Sequence, residues 1–183
     1  MFKKVLSFFL LIFISISPVA GLALPSEPVV EAPSALLIEL RRGQVLYSKN
    51  PEEPLHIAAA SKIMTALIAL EKTENEMVTA SKEAVNAEDA MLELSVGEKY
   101  TAQSLIHACI LSNANDAAIA LAETIGGTVD NFVKLMNDYA ATLNMTNTRF
   151  SNPTGKYDEN QRTTAADISK LLRHGLSTNP DFE

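Results

Sequence analysis

The stretch HIAAASKIMTALIALE, residues 56–71, is apolar on nearly every side of the helix it would form, and one lysine, Lys62, interrupts it in the first turns. Ile63, Leu67 and Leu70 recur at helical spacing as one stripe, with Met64 and Ile68 beside it. A helix that is hydrophobic most of the way round belongs inside a fold, enclosed by other elements. The amine of Lys62 is then carried into surroundings that disfavour its charge.

The rest of the chain supplies mostly helices to enclose it. ALLIEL (35–40) and QVLYSKN (44–50) favour strands and are separated by RRG, which predicts a β-hairpin. MVTASKEAVNAEDAMLELSVGEKYT reads as mixed and loop-rich, with a turn at Gly97. Thr101 is the expected N-cap of AQSLIHACIL. After a break at SNAND, the run AAIALAETI ends at Gly126-Gly127. Thr128 caps a further helix in which Phe132, Leu135, Met136, Tyr139 and Leu143 keep helical spacing. FSNPTGKYDENQ forms turns. Thr164, with Asp167 three residues on, predicts a capping box opening a last helix with Ile168, Leu171, Leu172 and Leu176 inward. A two-stranded hairpin is marginal alone. Either helices cover this one, or strands that complete its sheet lie beyond Glu183.

The first residues have a different character. Lys3 and Lys4 precede a 12-residue, largely apolar run from Val5 to Ile16, then Pro18 and the small residues of Gly21-Leu22-Ala23. That is the form of a secretory signal peptide. The run is shorter than the roughly 18–20 apolar residues that span a bilayer, and no later run approaches that length. The expected organisation is a leader over 1–23, an extended Pro-rich linker over 24–33 and one domain over 34–183, exported to the periplasm or the outer face of the cell. Loss of the leader removes two lysines and no acids, taking the formal charge from −7 to −9. Such a chain is a poor partner for nucleic acid or an anionic membrane. Cys109 is the only cysteine, so no disulfide forms within the chain, and its place in LIHACIL predicts a buried small hydrophobe.

Chemistry is concentrated at Lys62. A desolvated amine is a general base near neutral pH. A residue three positions earlier shares its helix face, so a hydroxyl there meets the amine. This is the logic of S-x-x-K, in which lysine activates a serine for acyl transfer.

Around that lysine, SKIMTALIALE, VGEKYT, NDAAIALAETIGG, NFVKLMNDYAATLNMTNTRFSNPTG and TTAADISKLLRHGL occur in this order and cover most of the sequence after the linker. In these stretches the chain resembles the serine-type D-alanyl-D-alanine carboxypeptidases, the low-molecular-weight penicillin-binding proteins. The resemblance implies an α/β (α+β) fold of the penicillin-binding and β-lactamase type, a helical cluster with an antiparallel sheet that is incomplete in these residues. It implies the peptidoglycan stem peptide or a β-lactam as ligand, an acyl-serine intermediate and no cofactor.

The family's catalytic pattern fails at its centre. The nucleophile position falls on Ala59, whose methyl cannot attack a carbonyl. At about 100° per residue, Ser61 lies roughly 200° around the helix from position 59 and faces away from it. In the second motif, where the family has Ser-x-Asn, this chain has Asn113-Ala114-Asn115. Asn115 is implied to offer its amide to a substrate carbonyl and is also readable as a helix N-cap, whereas Asn113 replaces a proton-relaying hydroxyl. The third motif, K-T-G, falls beyond residue 183, and TGK at 154–156 reads as a turn. The expectation is a catalytically impaired homologue, a decayed or interrupted gene, or a pseudoenzyme that holds stem peptide or a wall enzyme without cleaving.

Other residues take plain readings. His56, His107 and His174 have no metal-like spacing, and His174 is expected to favour a helix C-terminus. Lys82 and the pair Glu88-Asp89 are expected to be solvated. Asn144-Met145-Thr146 matches a glycosylation acceptor pattern too short to carry weight.

Overall fold

The computed structural model describes residues 28–74 and 76–182. The leader predicted over 1–23 lies outside them. Residues 32–183 form one unit, and the apolar helix is its axis.

Strands β1 (Ala35–Ile38) and β2 (Val45–Lys49) pair antiparallel as the expected hairpin, with Ala35 opposite Lys49 and Leu37 opposite Tyr47. Its turn is closed by the Glu39 carboxylate, which accepts from the backbone N–H of Arg42 at 2.6 Å and of Arg41 at 2.9 Å. Those two bonds hold the Glu39 carboxyl below its ordinary value.

A 3₁₀ turn, Ala58–Ala60, leads into α1 (Ser61–Lys72). Its apolar residues are divided between two cores. Ala66 and Ala69 pack with Val78, Leu105, Ala117 and Leu121, and Met64, Leu67 and Ile68 pack with Phe132, Met136, Phe150 and Leu171. The alanines on one side let α3 (Ala102–Leu111) and α4 (Asn115–Gly126) come close, while larger side chains fill the space toward α5 (Val129–Thr142) and α6 (Ala165–Thr178). The all-round apolarity of residues 63–69 is thus two cores met by one helix.

The segment expected to be loop-rich holds a second sheet. β3 (Met77–Thr79) and β4 (Lys99–Thr101) pair antiparallel with Val78 opposite Tyr100. A one-turn helix, α2 (Lys82–Val85), follows β3 and is capped by Ser81, whose Oγ accepts from Ala84 N at 2.9 Å. Three-residue strands are too short to print an alternation into the sequence.

The cap residues behave as their chemistry predicts. Thr101, Thr128 and Thr164 each accept from the backbone N–H three residues on, at 3.1, 3.2 and 3.1 Å. Gly127 ends α4 with φ of +75°. Only half of the predicted capping box forms at Thr164. The Asp167 carboxylate is fully buried and accepts instead from Asn147 N, Thr148 Oγ1 and Lys170 Nζ, at 2.8, 2.9 and 2.6 Å. It fastens α6 to the loop after α5.

Two further expectations on the last helix are corrected. Leu171 is fully buried, but Leu172 is 36% exposed, because α6 packs along a narrow line through Leu171 and Gly175, where the Phe182 ring lies too close for a Cβ. His174 does not serve the helix terminus through its ring. Its Nε2 lies 2.9 Å from the Tyr139 hydroxyl, which donates to Glu71 Oε1 at 2.6 Å and joins α1, α5 and α6. Burial, with that bond to Glu71, pushes the Tyr139 phenol up.

Candidate active site

Lys62 is 3% exposed and donates from Nζ to the Thr154 carbonyl at 2.6 Å. It does not act alone. Ser61 Oγ donates to Asn152 O and Thr65 Oγ1 to Pro153 O, each at 2.8 Å. Three donors from the first two turns of α1 therefore meet three successive carbonyls of one turn. Buried backbone oxygens need partners, and these side chains supply them. Ser61, fully buried and committed to Asn152, is in no position to act for residue 59.

The turn is rigid for local reasons. Asn152 Oδ1 accepts from Gly155 N at 2.7 Å and from Thr154 Oγ1 at 3.0 Å, an arrangement short amide side chains favour. Asn152 Nδ2 and Gln161 Nε2 both donate to Lys156 O, at 2.9 and 3.3 Å. Gly155 has φ of +80°, and a Cβ built there would stand 1.9 Å from the Ala58 carbonyl oxygen. The turn is pressed backbone to backbone against the residue that precedes Ala59. Ala58 itself has φ of +45°, in the left-handed region that a non-glycine residue seldom takes.

Ala59 lies exposed on the 3₁₀ turn, one helical turn before the buried amine. Its neighbour Lys62 is held below its ordinary value of 10.5, first by desolvation, with Cys109 and Asp89 opposing that shift. Cys109 is 1% exposed, and its thiol is pushed up to about 12, chiefly by burial, so it is a neutral apolar filler as expected. A depressed amine pKa has a sign in stability. The unfolded chain binds the proton more readily than the folded one, so the contribution of Lys62 becomes more favourable as pH rises toward 10.5. Urea unfolding at a series of pH values below 10.5 should show that rise, and Lys62→Met should flatten it. An unchanged slope in the variant would contradict the burial argument.

The second-motif asparagines are treated differently by the fold. Asn113 is exposed with φ of +53°, a conformation that asparagine tolerates. Asn115 is 8% exposed, and its Nδ2 donates to Glu88 O at 2.8 Å while its backbone N–H donates to Ala90 O at 2.7 Å. The expectation that Asn115 is the N-cap is corrected: Ala114 holds that place, and Asn115 is the first residue inside α4. Its amide is used to hold the 88–90 loop, the one bond its Nδ2 makes among the described residues.

That loop brings in residues the sequence did not single out. Asp116 is fully buried, and its carboxylate accepts from Leu92 N at 2.9 Å and Leu94 N at 3.2 Å. An acid directly after Asn115 at a helix start was the available signal, and it reads equally well as a solvated first-turn carboxylate. Glu88 was expected to be solvated; its side chain is exposed, yet it pairs with Lys156 at 2.6 Å. The structure therefore gathers Lys62, the 152–156 turn and the Asn115-held loop, with Ala59 and Asn113 both exposed.

A family described as D-alanyl-D-alanine carboxypeptidase matches residues 23–182. The chain is 37% identical over 157 residues to the D-alanyl-D-alanine carboxypeptidase DacF of Bacillus subtilis, covering 82% of this chain and 40% of that one. It is 33% identical over 162 residues to a D-alanyl-D-alanine endopeptidase of Pseudomonas aeruginosa, covering 87% and 52%. The crystal structure of the D-alanyl-D-alanine carboxypeptidase DacD from Francisella tularensis superposes with a TM-score of 0.88 at 29% identity, over 92% of this chain and 42% of that one. The chain thus spans about half the length, or less, of these relatives.

Proposed function

The chain belongs to the D-alanyl-D-alanine carboxypeptidase family, and from that premise we propose that its site holds a peptidoglycan stem peptide ending in D-alanyl-D-alanine without forming an acyl-enzyme. The observation that carries this reading is the exposed methyl of Ala59 one turn before the buried amine of Lys62. Loss of the nucleophile in a serine protease lowers turnover about 10⁶-fold, and what remains comes from binding and oxyanion stabilisation.

In this reading Lys62 is a general base with no hydroxyl to deprotonate. Asn115 offers its amide to a ligand carbonyl, and Asn113 takes no part in proton transfer. The penicillin-type fold is kept, so β-lactams and stem peptides remain the ligand class, held without covalent capture. A wall enzyme bound through the same face is the companion reading. The leader at 1–23 and the linker at 24–33 put the domain on the cell-wall side of the membrane; among the described residues no helix is long and apolar enough to cross one.

Isothermal titration of the chain with a peptide ending in D-alanyl-D-alanine should show saturable binding. Intact-mass measurement after incubation with a labelled penicillin should show no adduct. Absence of binding at millimolar peptide, a penicillin adduct on any serine, or release of D-alanine above a no-protein control would each overturn the proposal.

A further inference from the structure

Arg149 and Arg162 stand directly opposite one another in an antiparallel bridge. Each backbone N–H donates to the other's carbonyl, at 2.9 and 3.1 Å. Residues paired in this way have Cα atoms about 5.5 Å apart and side chains on one face. Their neighbours Phe150, Gln161 and Thr163 are buried, so both arginines are turned outward together. Like charges placed opposite one another repel and cost stability. Among the described residues neither guanidinium has a hydrogen bond or an ion pair to offset that cost. Arg149 acts through space on Asp158, whose Oδ1 is already taken up by Asn160 N at 2.8 Å and Ser151 Oγ at 3.2 Å.

The backbone gives the pair no room to part. Thr163 exchanges both of its backbone hydrogen bonds with Leu55, at 2.8 and 2.9 Å, and Phe150 N donates to Asn137 Oδ1 at 3.0 Å. Two cations fixed side by side form a preorganised seat for an anion. Both line an open groove of about 610 Å³ along α5, together with Lys134, Asp138 and Thr146. Asp138 is the one acid in that lining, and Lys134 bridges it at 2.8 Å. The groove thus carries three cations to one acid in a chain whose formal charge is −7. The exposed Thr146 hydroxyl has no partner among the described residues and is free to donate as well.

We propose that Arg149 and Arg162 together bind a phosphate monoester. Two planar guanidinium forks suit the several oxygens of a phosphate through bidentate hydrogen bonds. A monoester carries about −1.5 to −2 charge at neutral pH, which matches the pair, whereas a carboxylate answers only one arginine. The acidic balance of the rest of the chain repels a long polyanion, so the ligand presents a single phosphate group. Lys62 is not among the lining residues, and the site stands apart from the stem-peptide reading.

The test is an NMR chemical-shift titration of the whole chain with inorganic phosphate and with glycerol 3-phosphate. Amides of residues 148–150 and 161–163 should shift saturably, with half-saturation on the order of 1 mM. Arg149→Gln and Arg162→Gln should each weaken binding about 10- to 100-fold. Neither should melt below the parent, since each removes a repulsion and no hydrogen bond. Acetate should bind about tenfold more weakly than phosphate. Co-sedimentation with phosphatidic-acid vesicles, against phosphatidylcholine vesicles, identifies the source. Retention that Arg162→Gln abolishes assigns a lipid headgroup, and phosphate binding without retention assigns a soluble ester; either upholds the site. Shifts that do not saturate at tens of millimolar phosphate, acetate bound as tightly as phosphate, or full affinity in either variant would overturn it.

Discussion

Ala59→Ser should acquire a covalent adduct with a labelled penicillin, mapped to residue 59, that the parent chain does not form. The substitution adds one oxygen to an exposed methyl, so the fold has nothing to rearrange around it. The rest of the device is present on α1: an amine one turn later, desolvated and held below its usual value. A nucleophile with an adjacent base is the minimum for acyl transfer, and the difference from none is on the order of 10⁶ in rate. Intact-mass spectrometry with peptide mapping reads the result. Ala59→Ser combined with Lys62→Met should lose the adduct again, which separates activation by the amine from adventitious acylation. An unlabelled Ala59→Ser chain that melts like the parent would show that Lys62 is not placed to serve residue 59.

Gly155→Ala should destabilise the domain by about 2–5 kcal/mol, a large part of the stability of a typical domain. Two costs add. A left-handed conformation, here φ of +80°, penalises any residue with a Cβ by roughly 1–2 kcal/mol. The new methyl would also overlap the Ala58 carbonyl oxygen at 1.9 Å, and overpacking against backbone costs about 1–3 kcal/mol. Relief requires the turn to lift away from residues 58–59, which withdraws the Thr154 carbonyl from Lys62. Urea unfolding gives the stability change. A variant within about 1 kcal/mol of the parent would mean that the turn moves freely, and the argument for a rigid site would fail.

The helical body was legible because its signals are long or chemically specific. The stripes of α1 and α5 and the threonine caps at 101, 128 and 164 were all read from spacing alone. What the sequence could not show is where polar side chains go once helices pack. Asp167 has the letters of a capping box and serves a different loop. Asp116 looks like a first-turn acid and is the buried anchor of residues 92–94. The β3–β4 sheet escaped because its strands are three residues long and far apart in the chain. Of the candidate site, the lone amine of Lys62 was visible in one apolar helix, and only the family resemblance put the nucleophile position on Ala59. The Glu88–Lys156 bridge was not, since it joins residues 68 apart that no local pattern relates.

Lys62 shares its carbonyl-bonding row with Ser61 and Thr65, and that gives the amine a second occupation that needs no reaction at all. Removing a hydroxyl from residue 59 leaves every bond in the interior as it was, whereas removing the amine orphans a buried oxygen of the turn. The two halves of the device are therefore not equally expendable. Chemistry at this position can lapse without any penalty in folding, and the lysine then persists as masonry.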